Sequence, residues 1–186
     1  KTAVTSPEQA FLQGWPKFRV YLSHTFGIDP RPDQSMNNAI QDIALTLGST
    51  KTHMNDHLQS LERFCQVLAA RNCDDFLLVI GMKVLRAIIY MRPVQELASP
   101  AKFDLEYQRH LDNEPASDLG TYEHENWQSR IAHVGGVLVA CAGIQHTSMD
   151  VVHNALLLST TLLDGGNAYV QKQFTAIMLP ASSAPL

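Results

Sequence analysis

His53 and His57 stand four residues apart in "KTHMNDHLQSLERFCQVL". On a helix that spacing puts both imidazoles on one face, where two ring nitrogens can share a zinc ion. Zinc hydrolysis asks for more: a glutamate directly after the first histidine as general base, and a third ligand. Met54 follows His53, and no third ligand stands at an interpretable spacing. A solvated helix face is the plainer reading, and His53 and His57 are kept only as a metal candidate. His124, His133, His146 and His153 are scattered and read as surface or helix-end residues. His146 falls just before a helix start, where a positive charge opposes the helix dipole. "DNEPASDLGTYE" is acidic enough to suggest calcium, but Ser117 occupies the turn position that an EF-hand reserves for glycine. Cys73 has no histidine at nucleophile spacing, and neither G-x-S-x-G nor a phosphate-binding glycine loop occurs. Trp15 and Trp127 read as packing residues or interface anchors. The expectation is a chain that is not an enzyme and needs no cofactor.

The totals point the same way. The chain has 186 residues, a formal net charge of −4 and 45% hydrophobic content. At that length roughly two-thirds of the unfolded surface can be buried, so a sizeable core is possible. A mildly acidic balance argues against nucleic acid, which calls for concentrated lysine and arginine. From Lys102 to Arg130 three basic residues face seven acidic ones, Asp104, Glu106, Asp112, Glu114, Asp118, Glu123 and Glu125. A solvated face and loop accounts for them. Three cysteines leave an odd count with no pairwise framework, and Cys65 and Cys141 lie inside apolar helical patterns. A reducing compartment facing the cytosol is expected. The chain opens on Lys1 without a methionine and reads as a piece of something longer. No run approaches the ~18 apolar residues of a spanning helix, so no membrane contact by this segment is expected.

What must position any site is helix throughout. "SPEQ" at Ser6 to Gln9 is a capping box with proline at the first helical position. Met36, Ile40, Ile43 and Leu47 predict a helix from near Asp33 to Gly48. Met54, Leu58, Leu61, Cys65 and Leu68 predict the next. Asn72 can close that helix, and Asp74 can cap its successor. The successor, "DFLLVIGMKVLRAIIYMR", is apolar nearly all round apart from Lys83 and Arg86, as a helix in the middle of a stack should be. Leu77, Ile80, Val84 and Ile88 are its expected buried face, and Pro93 stops it at Arg92. Further helices are expected over Ala101 to Leu111, Glu123 to Gly143, Ser148 to Asp164 and Asn167 to Leu179. "RPVQELASPAKF" and "DNEPASDLGTYEHEN" are the expected irregular loops. The fold class is all-α: an armadillo- or HEAT-like solenoid, or a bundle of antiparallel helix pairs. Residues 1–180 are read as one helical regulatory solenoid segment and 181–186 as a disordered tail.

Within "ALLLSTTLLDGGNAYVQKQF" two glycines and an asparagine separate two helical runs. Glycine after Asp164 can take the left-handed conformation that closes a helix, the second permits a sharp reversal, and Asn167 can cap the next helix. "DGGN" is therefore expected to be a compact turn between two packed antiparallel helices. Leu156, Leu157, Leu163, Gly165, Gly166, Asn167, Val170 and Phe174 are the residues expected to hold it.

The whole stretch resembles a segment of the intracellular calcium-release channels, the inositol trisphosphate and ryanodine receptors. There a hydrophobic helix ends in Gly-Gly-Asn, and the next carries a Val-Gln or Ile-Gln pair followed by an apolar residue. Leu163, Asp164, Gly165, Gly166, Asn167, Val170, Gln171 and Phe174 carry the likeness here. "EYQRHLDNEPASDL" and "LLVIGMKVLRAIIYM" resemble upstream stretches of the same family in the same order, so the likeness runs from about Asp75 to Phe174. The region after Leu119 is expanded relative to an inositol trisphosphate receptor, and the basic regulatory insertion that many members carry before "HLD" is missing.

The resemblance implies a non-catalytic stretch of the cytosolic solenoid, on the cytoplasmic face of the endoplasmic reticulum, in a homotetrameric parent. Its partners would be neighbouring solenoid domains of the same chain, and its role mechanical. The family's activating calcium ligands follow the GGN pair and would lie beyond Leu186, so none is assigned. The rival readings are an armadillo-type scaffold with no channel attached, and a metal-dependent enzyme using His53 and His57, which would require stoichiometric metal.

Overall fold

The computed structural model describes residues 7–48, 54–71, 73–90 and 121–179. Among these are eight α-helices and no strand: α1 Pro7–Phe26, α2 Met36–Gly48, α3 Met54–Leu68, α4 Asp75–Tyr90, α5 Thr121–His133, α6 Gly136–Ile144, α7 Met149–Leu163 and α8 Ala168–Met178. The all-α expectation holds for the described residues. The predicted helix from Ala101 to Leu111, the "RPVQELASPAKF" loop, the "EYQRHLDNEPASDL" stretch and the tail lie outside them, as do Ser6, His53 and Asn72.

The middle of the fold is α4. Asp74 starts it as expected: its Oδ1 accepts the backbone N–H groups of Phe76 at 3.0 Å and Leu77 at 3.3 Å. Ten of its sixteen residues are buried, and α1, α2, α3, α5, α6 and α7 all pack against it. Ile80, Val84 and Ile88 are core residues, whereas Leu77 is only half-buried. Leu78 takes the inward place instead, because α7, α2 and α1 approach α4 from different sides and no single stripe defines its core face.

One end of the core is aromatic. Phe11 and Trp15 stack with ring centroids 4.9 Å apart, and Phe18 meets Phe76 edge to face at 6.3 Å. Trp15 is buried, as a packing residue should be, and its indole N–H donates to the Pro32 carbonyl at 3.2 Å. Arg19 Nε donates to the Pro30 carbonyl at 2.6 Å and its guanidinium pairs with Asp29 at 3.0 Å. These contacts hold residues 29–32 along α1. Accordingly α2 begins at Met36 and not near Asp33. Ser35 Oγ accepts the Asn38 N–H at 3.4 Å, and the chain before it is committed to α1.

Two further expectations are corrected. The single helix predicted over Glu123 to Gly143 is two, broken at Val134–Gly135. Gly135 has φ +103°, which no right-handed helix accommodates. The first of the two begins at Thr121, inside the stretch read as a loop. On α7 the apolar register is displaced. Val151, Ala155, Leu158 and Leu162 are buried, while Leu157 is half-buried and Leu156 and Leu163 are 50% and 37% exposed. The helix is apolar on more than one side, so composition did not fix its phase. Packing does: α6 crosses so closely that a Cβ on Gly143 would lie 2.7 Å from Ala155 Cβ.

Candidate functional site

The turn after α7 takes the form its sequence demands. Leu163 is the last helical residue, Asp164–Gly166 form one 3₁₀ turn, and Gly165 and Gly166 both sit at positive φ, +71° and +78°. Both glycines are exposed, as are Asp164 and Gln171. Asn167 is buried, and its Oδ1 accepts the N–H groups of Tyr169 at 3.1 Å and Val170 at 3.3 Å, capping α8 as predicted. Val170 and Phe174 point inward. The expected hairpin is loose, however. α8 packs chiefly on α5 and α6, and touches α7 less.

What holds the turn comes from α5. Gln128 is fully buried, and its Nε2 donates to the carbonyls of Thr161 and Asp164, each at 2.8 Å. Those are carbonyls of the last turn of α7 and of its capping residue, groups a helix end leaves without intrahelical partners. On the other side of the glycines, Asn167 Nδ2 donates to Ser129 Oγ at 2.9 Å and to Gln128 Oε1 at 3.5 Å. Two adjacent residues of α5 thus grip the end of one helix and the start of the next.

A second layer fixes α7 from behind. Thr161 Oγ1 donates to the Leu157 carbonyl at 2.8 Å and accepts from Arg86 Nε and from the Tyr90 hydroxyl, each at 3.3 Å. Burial pushes the Tyr90 phenol above its ordinary range, against the opposing pull of Thr161 and Arg86, so it stays a donor at neutral pH. The result is a buried polar chain from α4 through α7 and α5 to α8. Its donors and acceptors are directed at helix termini and at one another, an arrangement suited to fixing geometry.

Asn167, the two glycines, Val170 and Phe174 were identifiable in the sequence; Gln128, Ser129, Thr161 and Tyr90 were missed. Arg86 stood out only as a polar exception on α4. Gln128 carried no such signal, because its helix, "TYEHENWQSRIAH", is mostly polar and one more amide does not stand out in it. Leu163 belongs to the motif by position but is exposed.

Of the metal candidates, His53 lies outside the described residues, and for His57 the structure describes only a backbone position in α3. Among the described residues no three His, Cys, Asp or Glu side chains converge on a common point. His146 Nδ1 accepts the Ser148 N–H at 3.1 Å, with Nε2 3.6 Å from Asp75. Trp127 is half-buried beneath the Arg130 guanidinium, 4.9 Å from its ring centre.

All three thiols are free. Burial, with Glu62 nearby, raises Cys65 from 9.0 to about 12; burial with Asp74 and Asp75 raises Cys73 to about 11. A raised pKa means less thiolate at any given pH, and the thiolate is the nucleophile. At pH 8 iodoacetamide is therefore expected to alkylate native Cys73 roughly a hundredfold more slowly than the same residue in urea. The native rate should climb until the pH nears about 11. Equal native and unfolded rates at pH 8 would contradict the assigned surroundings.

No family model, curated protein or solved structure matches the chain.

Proposed function

We propose that this chain is a non-catalytic segment of the cytosolic helical solenoid of an inositol trisphosphate receptor-like calcium-release channel. Its work is mechanical: it passes a ligand-driven displacement from distal binding domains toward the pore. The observation that carries the reading is the Gly-Gly-Asn turn. It has the helix–turn–helix form implied by the resemblance, and Gln128 joins both of its ends to a third helix. Movement is transmitted when packed elements shift as rigid bodies, and Gln128, by holding the carbonyls that end α7, lets α5 and α7 move together. On this reading the segment is one helical unit in a longer stack, its neighbours are solenoid domains of the same homotetrameric parent, and it works at the cytoplasmic face of the endoplasmic reticulum.

A second reading is favoured by α7. Met149, Leu156 and Leu163 are exposed at seven-residue intervals along its outer side, as on a helix offered to a partner. That suits an armadillo-type interaction scaffold unconnected to any channel. Extending the coding sequence downstream of Leu186 separates the two. A six-helix membrane region with a glycine-rich filter is expected for the channel; a stop codon or an unrelated domain would overturn it in favour of the scaffold.

A further inference from the structure

We infer that α8 is a detachable element, which separates from the fold as one unit about Gly165–Gly166 while the helices before it stay packed. This holds for the chain by itself, whether or not a channel surrounds it.

Three observations carry it. First, α8 is thinly anchored: of its eleven residues only Val170 and Phe174 are buried, in contrast to ten of sixteen in α4. Second, its tether is open. A Cβ on Gly165 would meet nothing within 4 Å, and one on Gly166 only the Gln171 amide at 3.9 Å. Both glycines already occupy conformations from which chain direction changes at little cost. Third, the polar hold is concentrated at one end. Asn167 Nδ2 reaches Ser129 and Gln128, and Tyr169 Oη lies 3.3 Å from His133 Nδ1 on the surface, both within the first turn of the helix. Local opening tracks low burial and few contacts. Eleven residues are too few to persist as a helix in water, so undocking and loss of helix occur in one event. Detachment uncovers the surfaces of α5 and α6 on which α8 rests.

Hydrogen exchange of the full 186-residue chain, followed against denaturant, tests this. The amides of residues 171–178 are expected to exchange together, through an opening smaller and less denaturant-sensitive than the one that exposes α4. Asn167→Asp keeps an acceptor for the α8 cap but removes the donors to Ser129 and Gln128. It should speed exchange over 171–178 roughly tenfold, as for losing a buried hydrogen bond. Ser129→Ala should act the same way more mildly. Ile40→Val, in the core of α2, should speed α4 exchange about three- to tenfold and leave α8 unchanged. The inference is overturned if α8 shares the rates and denaturant slope of α4, if its amides exchange independently of one another, if Asn167→Asp leaves them unchanged, or if Ile40→Val accelerates both helices alike.

Discussion

Ile88→Ala is expected to remove about 2–5 kcal/mol of folding stability. Ile88 is fully buried on α4, the helix that six others contact. Deleting three of its side-chain carbons forfeits their transfer free energy and leaves a void that neighbours pinned on several sides can fill only in part. Chemical denaturation, with the denaturant slope held constant, is the measurement. Leu156→Ala is the matched control: the same kind of truncation at a half-exposed site should cost less than about 1 kcal/mol. Equal losses at the two sites would mean that α7 turns a different face inward, and that α4 is not the centre of the fold.

Gln128→Leu should cost about 1–3 kcal/mol by a different route. Volume is nearly conserved, so cavity formation contributes little. What is lost is the amide that donates at 2.8 Å to the carbonyls of Thr161 and Asp164. A buried acceptor deprived of its donor bears its full desolvation cost, and that falls on the Thr161 carbonyl; the carbonyl of Asp164, an exposed residue, can turn to water. Gln128→Ala, which adds a void, should be worse still. If Gln128→Leu cost under about 0.5 kcal/mol, water or a relaxed turn would be satisfying those carbonyls, and the grip on the reversal would be dispensable.

The contrast between these residues shows which parts of the fold were legible in the sequence. Caps and turns were: Asp74, Gly165, Gly166 and Asn167 act through their own backbone neighbours, and local chemistry determines what they do. The buried middle of α4 was legible too, since a helix apolar all round has only one place to go. Phase was not. Leu156, Leu157 and Leu158 are identical side chains in a row, and only the approach of α6 and α4 decides which of them turns inward. Nor was the break at Gly135, because a Gly-Gly pair within an apolar run can lie inside a helix or end one, and tertiary contacts choose. Gln128 was hardest of all: its partners lie 33, 36 and 39 residues away in sequence, beyond the reach of any local pattern.

The unlike settings of the two tryptophans give the molecule a pair of built-in optical gauges. Trp15, enclosed by Phe11 and Phe18 with its N–H bound to a carbonyl, should emit in the blue and report on the amino-terminal aromatic cluster. Trp127, half in solvent beneath Arg130, should emit further to the red and report on the helix that carries Gln128. Replacing either by phenylalanine would isolate the light from the other, so loosening around each could be watched separately in one cuvette.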